Sequence, residues 1–432
     1  MRILLYENQS ADQLSPLTLL RPVFELVCGR DSLRRRLQRW YPSAEFGAWV
    51  RPWLAEAYQE EQTEIRVNDV NWIRSGPILL INGCWLPERR LTPLDLLNHE
   101  AGFLHGDPMW ICCDGDDLAE LLHSDLMARL SSFASTLRAV PANGDIIRHP
   151  WDLVSQNARQ LTRDFQDEGV SHDPSFDHVQ ILGEPSDIYI SSQATIDPYV
   201  VIDTRKGPVS IDRDAMIQSF TRIEGPCHIG RGTHVFRALI RGGTTIGEHC
   251  RVGGEIEESI LHAFVNKYHE GFLGHSYVCP WVNIGALTST SDLKNDYSSV
   301  QVPLQGHPID SGMTKVGSFI ADHSKTALDS MFNTGSSVGV MTMVLPGGRL
   351  LPRHIPSFST VIWGELAIEN APDEAIATAR IVMMRRGQQL TDKAERLLRT
   401  VHIRTEGERR AALNRYSSRN KTTQESRTPS NF

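Results

Sequence analysis

Ile211-Asp-Arg-Asp-Ala-Met-Ile217-Gln-Ser-Phe-Thr-Arg-Ile223-Glu-Gly-Pro-Cys-His-Ile229-Gly-Arg-Gly-Thr-His-Val235 decides the fold of this chain. A large aliphatic residue stands at every sixth position. After a one-residue slip the series resumes at Ile240, Ile246 and Val252, then at Phe272, Val278 and Ile284. A third run is Ile320, Thr326, Phe332, Val338 and Val344. Glycine follows the aliphatic in Ile229-Gly230, Ile246-Gly247, Ile284-Gly285, Val316-Gly317 and Val338-Gly339. An α-helix cannot use this period, because about 3.6 residues per turn would scatter the apolar positions around its circumference. A solenoid of short flat strands can: each hexapeptide forms one face of a triangular coil, and stacked coils bury one continuous core.

The pattern resembles the hexapeptide-repeat left-handed β-helix, a fold used mainly by acyltransferases. The expected architecture is an α/β, Rossmann-like nucleotidyltransferase-like domain over residues 1–175, then an all-β left-handed parallel β-helix over 180–365. A C-terminal helix over 372–413 and a disordered tail over 414–432 follow. In the first part, Ile3–Tyr6, Ile78–Ile81 and Met109–Cys112 read as strands of a buried parallel sheet. Helices are expected over Arg30–Trp40, Asp116–Ser132 and Trp151–Gln166, with the domain boundary at Gly169 and the polar stretch Ser171–Asp177. Two stretches break the solenoid period: Glu255–Phe264, and Thr288–Thr314 with its polar Ser291–Tyr297. Loops that interrupt a rigid frame often carry function.

Composition sets further bounds. The 432 residues are 40% hydrophobic and 22% charged, ordinary for a soluble protein. Without a run of about 18 apolar residues, no membrane span is expected. The net charge of −8 argues against general nucleic-acid binding. The Arg-rich stretch from Arg380 to Arg427 reads as a solvated helix with a frayed end. Seven scattered cysteines without a C-x-x-C pair point to a reducing cytoplasm, with no disulfide framework and no structural zinc.

Lys267-Tyr-His269-Glu-Gly-Phe-Leu-Gly274, followed by Asn283-Ile-Gly-Ala286, makes the resemblance specific. Together with Leu293-Lys-Asn295 and Ile355-Pro-Ser-Phe358, these segments resemble the GlmU family, bifunctional uridylyltransferase and glucosamine-1-phosphate N-acetyltransferase proteins, in a divergent branch with a shortened N-terminal domain. The likeness covers roughly 225–350 well. It implies acetyl-CoA as co-substrate, an amino-sugar phosphate as acceptor, a homotrimer, and a role in making the cell-envelope precursor UDP-N-acetylglucosamine. It implies His269 as catalytic base, Arg241 and Asn283 as sugar-phosphate ligands, and Asp292 and Ser324 as acetyl-CoA contacts. The family lysine twelve residues before the histidine has no counterpart, since Glu257 stands there, and Lys267 is the substitute. Imidazole suits the task, because a largely protonated sugar amine must lose a proton near neutral pH. The bland readings stay open beside these roles: His269 as a surface residue, Arg241 as an ion-pair partner, and Asn283 as a bridge between coils.

The N-terminal half keeps Pro16-Leu-Thr-Leu-Leu-Arg21-Pro22, and Arg21 is the nucleotide-binding candidate. Glu7-Asn-Gln-Ser-Ala-Asp12 holds no glycine, so the usual backbone cradle for a triphosphate is missing. Where the family has a metal-binding Asp, Asn82-Gly-Cys84 offers a thiol, a poor ligand for Mg2+. Asp114 and Asp116 are alternative ligands or merely a turn and helix cap. Two alternatives to an acetyltransferase follow: a sugar-1-phosphate nucleotidyltransferase with the β-helix as assembly element, and a non-catalytic trimeric scaffold that binds a nucleotide sugar.

Overall fold

The computed structural model describes residues 1–92, 99–122, 126–168 and 178–425. They form two compact units: Met1–Val27, Asp31–Asp152 and Asp392–Leu397 in the first, and Cys28–Arg30, Leu153–Thr391 and Leu398–Phe432 in the second. The expected boundary at Gly169 and Ser171–Asp177 lies outside the described residues. The division falls earlier, within the helix Pro150–Glu168. A buried asparagine explains it. Asn157 Nδ2 donates to Gly243 O (2.8 Å) and to Thr245 Oγ1 (3.0 Å), while its Oδ1 accepts from Gly29 N (2.7 Å). Breaking that set would strand several buried polar groups, so most of the helix belongs with the solenoid.

The first unit is built on a seven-stranded sheet in the order Arg138–Pro141, Glu100–Leu104, Asp107–Asp114, Pro77–Asn82, Arg2–Tyr6, Glu45–Trp49, Arg66–Val67. It is mixed, not all-parallel as expected. Asp107–Asp114 runs antiparallel to both neighbours, with Pro77 opposite Asp114 and Ile81 opposite Trp110. The helices appear as Leu33–Trp40, capped by Ser32 onto Arg35 N, then Gly115–Leu122 and Leu126–Ala134.

The second unit is a parallel β-helix whose strands stack into three faces. The first face holds the pairs Thr195–Ile196, Met216–Ile217, His234–Val235, Arg251–Val252, Asn266–Lys267, Asn283–Ile284, Lys325–Thr326 and Met343–Val344. The second runs through Val201–Asp203, Arg222–Glu224, Glu255–Glu257 and Phe272–Gly274. The third runs from Ile188–Ile190 to His354–Ile355. Corners turn on single residues in the left-handed region, such as Phe264 (φ +61°), Trp281 (+66°) and His323 (+58°). Ile211, Ile217, Ile223, Ile229, Val235, Ile240, Ile246 and Val252 are all 0% exposed. Each contributes about 1.5–3 kcal/mol by leaving water.

Two readings of the period need correction. Leu273 is the inward residue, paired with Ile256, and Phe272 faces outward and is half-buried. Glu255–Phe264 is no interruption: Arg251–Glu257 and Ile260–Leu261 are regular strands. The coil there is shortened. The register steps by 18 from Ser210 to His228 and by 17 from His228 to Thr245, but by 15 from Thr245 to Ile260. The second interruption is real. After Ser289–Thr290 the chain leaves the coil, forms the hairpin Gln301–Leu304/His307–Asp310, and returns at Ser318–Ile320.

The last coil is closed by the antiparallel pair Ser359–Ile362/Glu365–Glu369 and by helix Glu406–Glu425, whose Ala412 joins the solenoid core. Such end caps cover edges that would otherwise recruit another chain. The C-terminal helix is therefore three helices, Pro372–Met384, Asp392–Arg404 and Glu406–Glu425, the first ending near Gly387 (φ +68°). Residues 414–425, expected as disordered tail, are helical. The rest of that tail lies outside the described residues. No helix among the described residues is long and apolar enough to cross a membrane.

Candidate active site

His269 sits on the corner between the first and second faces, in the turn that links Asn266–Lys267 to Phe272–Gly274. Its side chain is exposed, and among the described residues no hydrogen bond engages either ring nitrogen. Tyr268 meets it edge-on with centroids 4.7 Å apart, and Tyr268 packs in turn on Phe236 at 4.0 Å. An imidazole held beside an aromatic shelf with both nitrogens open can accept a proton from a docked amine.

Asn283 lies on the outward side of the first face, one coil on from Asn266, whose Nδ2 donates to Asn283 Oδ1 (2.6 Å). Lys325 is next in the same column. Its Nζ donates to His323 O (2.9 Å), and burial pulls its pKa down to about 8. The structure thus gathers His269, Asn266, Asn283 and Lys325 along one corner and the neighbouring face.

Four other candidates are placed elsewhere or already engaged. Arg241 is at the far end of the second face, where its Nε donates to Glu255 Oε1 (2.8 Å), with Glu257 Oε2 at 3.8 Å. Asp292 lies at that same far corner and accepts from His275 Nδ1 (2.7 Å); Glu258 Oε2 meets His275 Nε2 at 3.2 Å. Burial alone would lower the His275 pKa, but hydrogen bonds to Asp292 and Glu258 raise it to about 9. Asp292 therefore anchors the start of the ejected loop and is not free for a cofactor. The Ser324 hydroxyl is buried; it donates to Gly339 O (2.7 Å) and accepts from Thr342 N (3.4 Å). Thr233 makes the same bond to Gly247 O (2.7 Å), so this is a coil-to-coil bridge, not a cofactor contact. Lys267 is 2% exposed, and its Nζ donates to the carbonyls of Gly253, His269 and Gly271. An ammonium has three donors, so none remains for a substrate phosphate.

In the first unit, the C-terminal ends of Arg2–Tyr6 and Pro77–Asn82 lie side by side, with Tyr6 opposite Asn82. Glu7, fully buried, opens the glycine-free loop at this end of the sheet. Its carboxylate accepts from Val23 N (3.0 Å), Arg51 N (3.1 Å) and Arg51 Nε (3.1 Å) and Nη2 (3.0 Å). Arg51 Nη2 also binds the carbonyls of Thr18 (2.7 Å) and Arg21 (3.0 Å). Arg21 is half-buried, and its Nη1 reaches Leu17 O at 3.4 Å. Cys84 is buried and its thiol pKa is pushed far up by burial, which keeps it neutral and a poor Mg2+ ligand. Asp107 at this end pairs with Arg148 (2.6 Å). Asp114 stands opposite Pro77, at the other end of the sheet, so with Asp116 and Asp117 it cannot serve this mouth. The residues present do not fit a nucleotide-bound Mg2+.

Sequence comparison adds several likenesses. Residues 3–168 match the sugar nucleotidyl transferase family. A bifunctional sugar-1-phosphate nucleotidylyltransferase/acetyltransferase of Sulfurisphaera tokodaii is 34% identical over 145 residues, 33% of this chain and 36% of that protein. The bifunctional protein GlmU of a Jannaschia species is 34% identical over 107 residues, 24% of this chain and 23% of that one. The chain is similar to GlmU-like bifunctional proteins over these stretches. Its matches to these two relatives span about a third of their length or less. An Arabidopsis UDP-N-acetylglucosamine acyltransferase structure aligns over 60% of this chain and 98% of its own, at 15% identity and TM-score 0.25, and nothing below rests on that likeness. The His269 and Asn283 motifs were legible in the sequence. The Glu258–His275–Asp292 set and the Glu7–Arg51 pair were not. Each joins residues far apart in sequence, and only the register brings them together.

Proposed function

We propose that the solenoid transfers an acetyl group from acetyl-CoA to the amine of an amino-sugar phosphate, glucosamine 1-phosphate being the first candidate, toward UDP-N-acetylglucosamine. The observation that carries this reading is the exposed His269, with both ring nitrogens open, beside the Asn266–Asn283 amide pair. The imidazole takes a proton from the sugar ammonium. The freed amine attacks the thioester carbonyl, a C–N bond forms, the C–S bond breaks, and CoA leaves as its thiol. Asn283 and Lys325 offer donors to the sugar phosphate. A cleft of about 570 Å³ lies between the ejected hairpin and the last helix, at the corner between the second and third faces and away from the His269 corner. Arg353 and Arg415 line it, with no ion pair among the described residues.

Apolar residues along the His269 corner support a homotrimer. Tyr199 and Phe220 are 72% and 71% exposed and stack at 5.7 Å; Leu287, Leu328 and Trp363 continue the exposed ridge. Exposed apolar ridges of this kind mark association. Light scattering at micromolar concentration is expected to give three chains per particle, and a monomer would remove this support. Seven buried thiols, none in a disulfide, support a cytoplasmic setting.

The first unit favours a second reading for itself, a sugar-nucleotide-binding scaffold, because its loop Glu7–Asp12 holds no glycine and buried Cys84 is a poor Mg2+ ligand. UTP with Mg2+ and N-acetylglucosamine 1-phosphate is expected to give feeble or no UDP-N-acetylglucosamine. Acetyl-CoA with glucosamine 1-phosphate, assayed separately, is expected to turn over. Brisk uridylyl transfer with silent acetyl transfer would reverse the assignment and leave the solenoid as an assembly element.

A further inference from the structure

Along the first face, the second residue of each pair points into the solenoid. Ile196, Ile217, Val235, Val252, Ile284, Thr326 and Val344 hold these positions, and all are buried. Lys267 stands in the same series, in register with Val252. A lysine here burdens the core with a charge that an aliphatic would not bring. Its amine is nonetheless fully satisfied, 2.7 Å from Gly253 O, 3.1 Å from His269 O and 2.9 Å from Gly271 O. The space comes from the shortened coil. Gly253-Gly254 turns in two residues, Gly254 at φ +69°, and a Cβ on Gly254 would lie 2.9 Å from the amine. Two of the three carbonyls belong to the His269 turn itself.

We infer that Lys267 is a positioning residue for His269: from inside the solenoid its ammonium ties down the His269–Gly271 turn and fixes the backbone from which the imidazole projects. The inference rests on the reading of His269 as the base. Lys267 itself meets no substrate. Burial lowers the amine's pKa to about 8, while Glu270 and Glu255 act to raise it. The cationic form is thus the strained one in the core, and its retention at neutral pH serves the turn rather than the stability of the coil.

The test uses the full chain carrying Lys267→Met, which keeps an unbranched inward side chain and removes the three bonds. The expected results are a melting temperature no lower than the parent's, amide exchange at residues 268–271 at least about tenfold faster, and kcat for acetyl transfer lower by about 10–100-fold at unchanged KM for acetyl-CoA. Should Lys267→Met not fold, Lys267→Gln, which keeps an unbranched inward chain with two amide donors, is expected to speed the same amides, and parental exchange there would overturn the inference. A folded Lys267→Met with parental exchange at 268–271 and parental kcat overturns the inference. If His269→Ala proves fully active, the reading of the base fails separately, and the exchange arm still decides what Lys267 does.

Discussion

His269→Ala is expected to lower acetyl transfer by roughly 10²–10⁴-fold, the span that a positioned general base supplies. The side chain is exposed and packs only edge-on with Tyr268, so its loss removes little buried surface. The melting temperature and the oligomer should therefore stay at parental values. The KM for acetyl-CoA should hardly move, because the imidazole acts on the amine and not on the thioester's carrier. Steady-state kinetics with both substrates varied checks this, and a variant running at the parental rate would strip His269 of its role.

Removing Glu7 should be the most damaging change to the first unit. The carboxylate is fully buried and takes four hydrogen bonds, three of them from Arg51. Glu7→Ala leaves the buried Arg51 guanidinium with only the exposed Asp12 carboxylate at 3.8 Å, and breaking a buried pair costs about 3–5 kcal/mol. Amide exchange in residues 1–27 and 45–51 should rise by orders of magnitude. The double variant Glu7→Leu/Arg51→Met should recover only part of the loss: it strands no charge, but it leaves Val23 N, Arg51 N and the carbonyls of Thr18 and Arg21 without these partners. Parental protection in Glu7→Ala would mean that water reaches Arg51 and that the pair is not the organiser of the loop from Glu7 to Glu25.

The solenoid was legible because an inward aliphatic every six residues has no other compact solution. Phe272 was misread for inward because Phe272 and Leu273 are both apolar, and period alone cannot choose between neighbours. Glu255-Ile256-Glu257 looked like a polar loop, yet its alternation is that of a strand with one face in the core. Lys267 was read as a substrate ligand in place of the family lysine missing at Glu257; counting 15 residues on from Val252 places it inside. Arg241, Asp292 and Ser324 could be named by motif, but their present partners depend on which coil stacks on which. In the first unit the strand Asp107–Asp114 was found and its direction was not, since an apolar run such as Met109–Cys113 fits either sense. That direction decides which end of the sheet receives Asp114.

One measurement tests the central claim most directly. The purified full chain is incubated with acetyl-CoA and glucosamine 1-phosphate, with His269→Ala as control, and the sugar product is followed by mass spectrometry alongside free thiol. The account predicts N-acetylglucosamine 1-phosphate formed in step with CoA thiol by the parent and nearly none by the variant. Equal product from both proteins, or thiol release without an acetylated sugar, would contradict it.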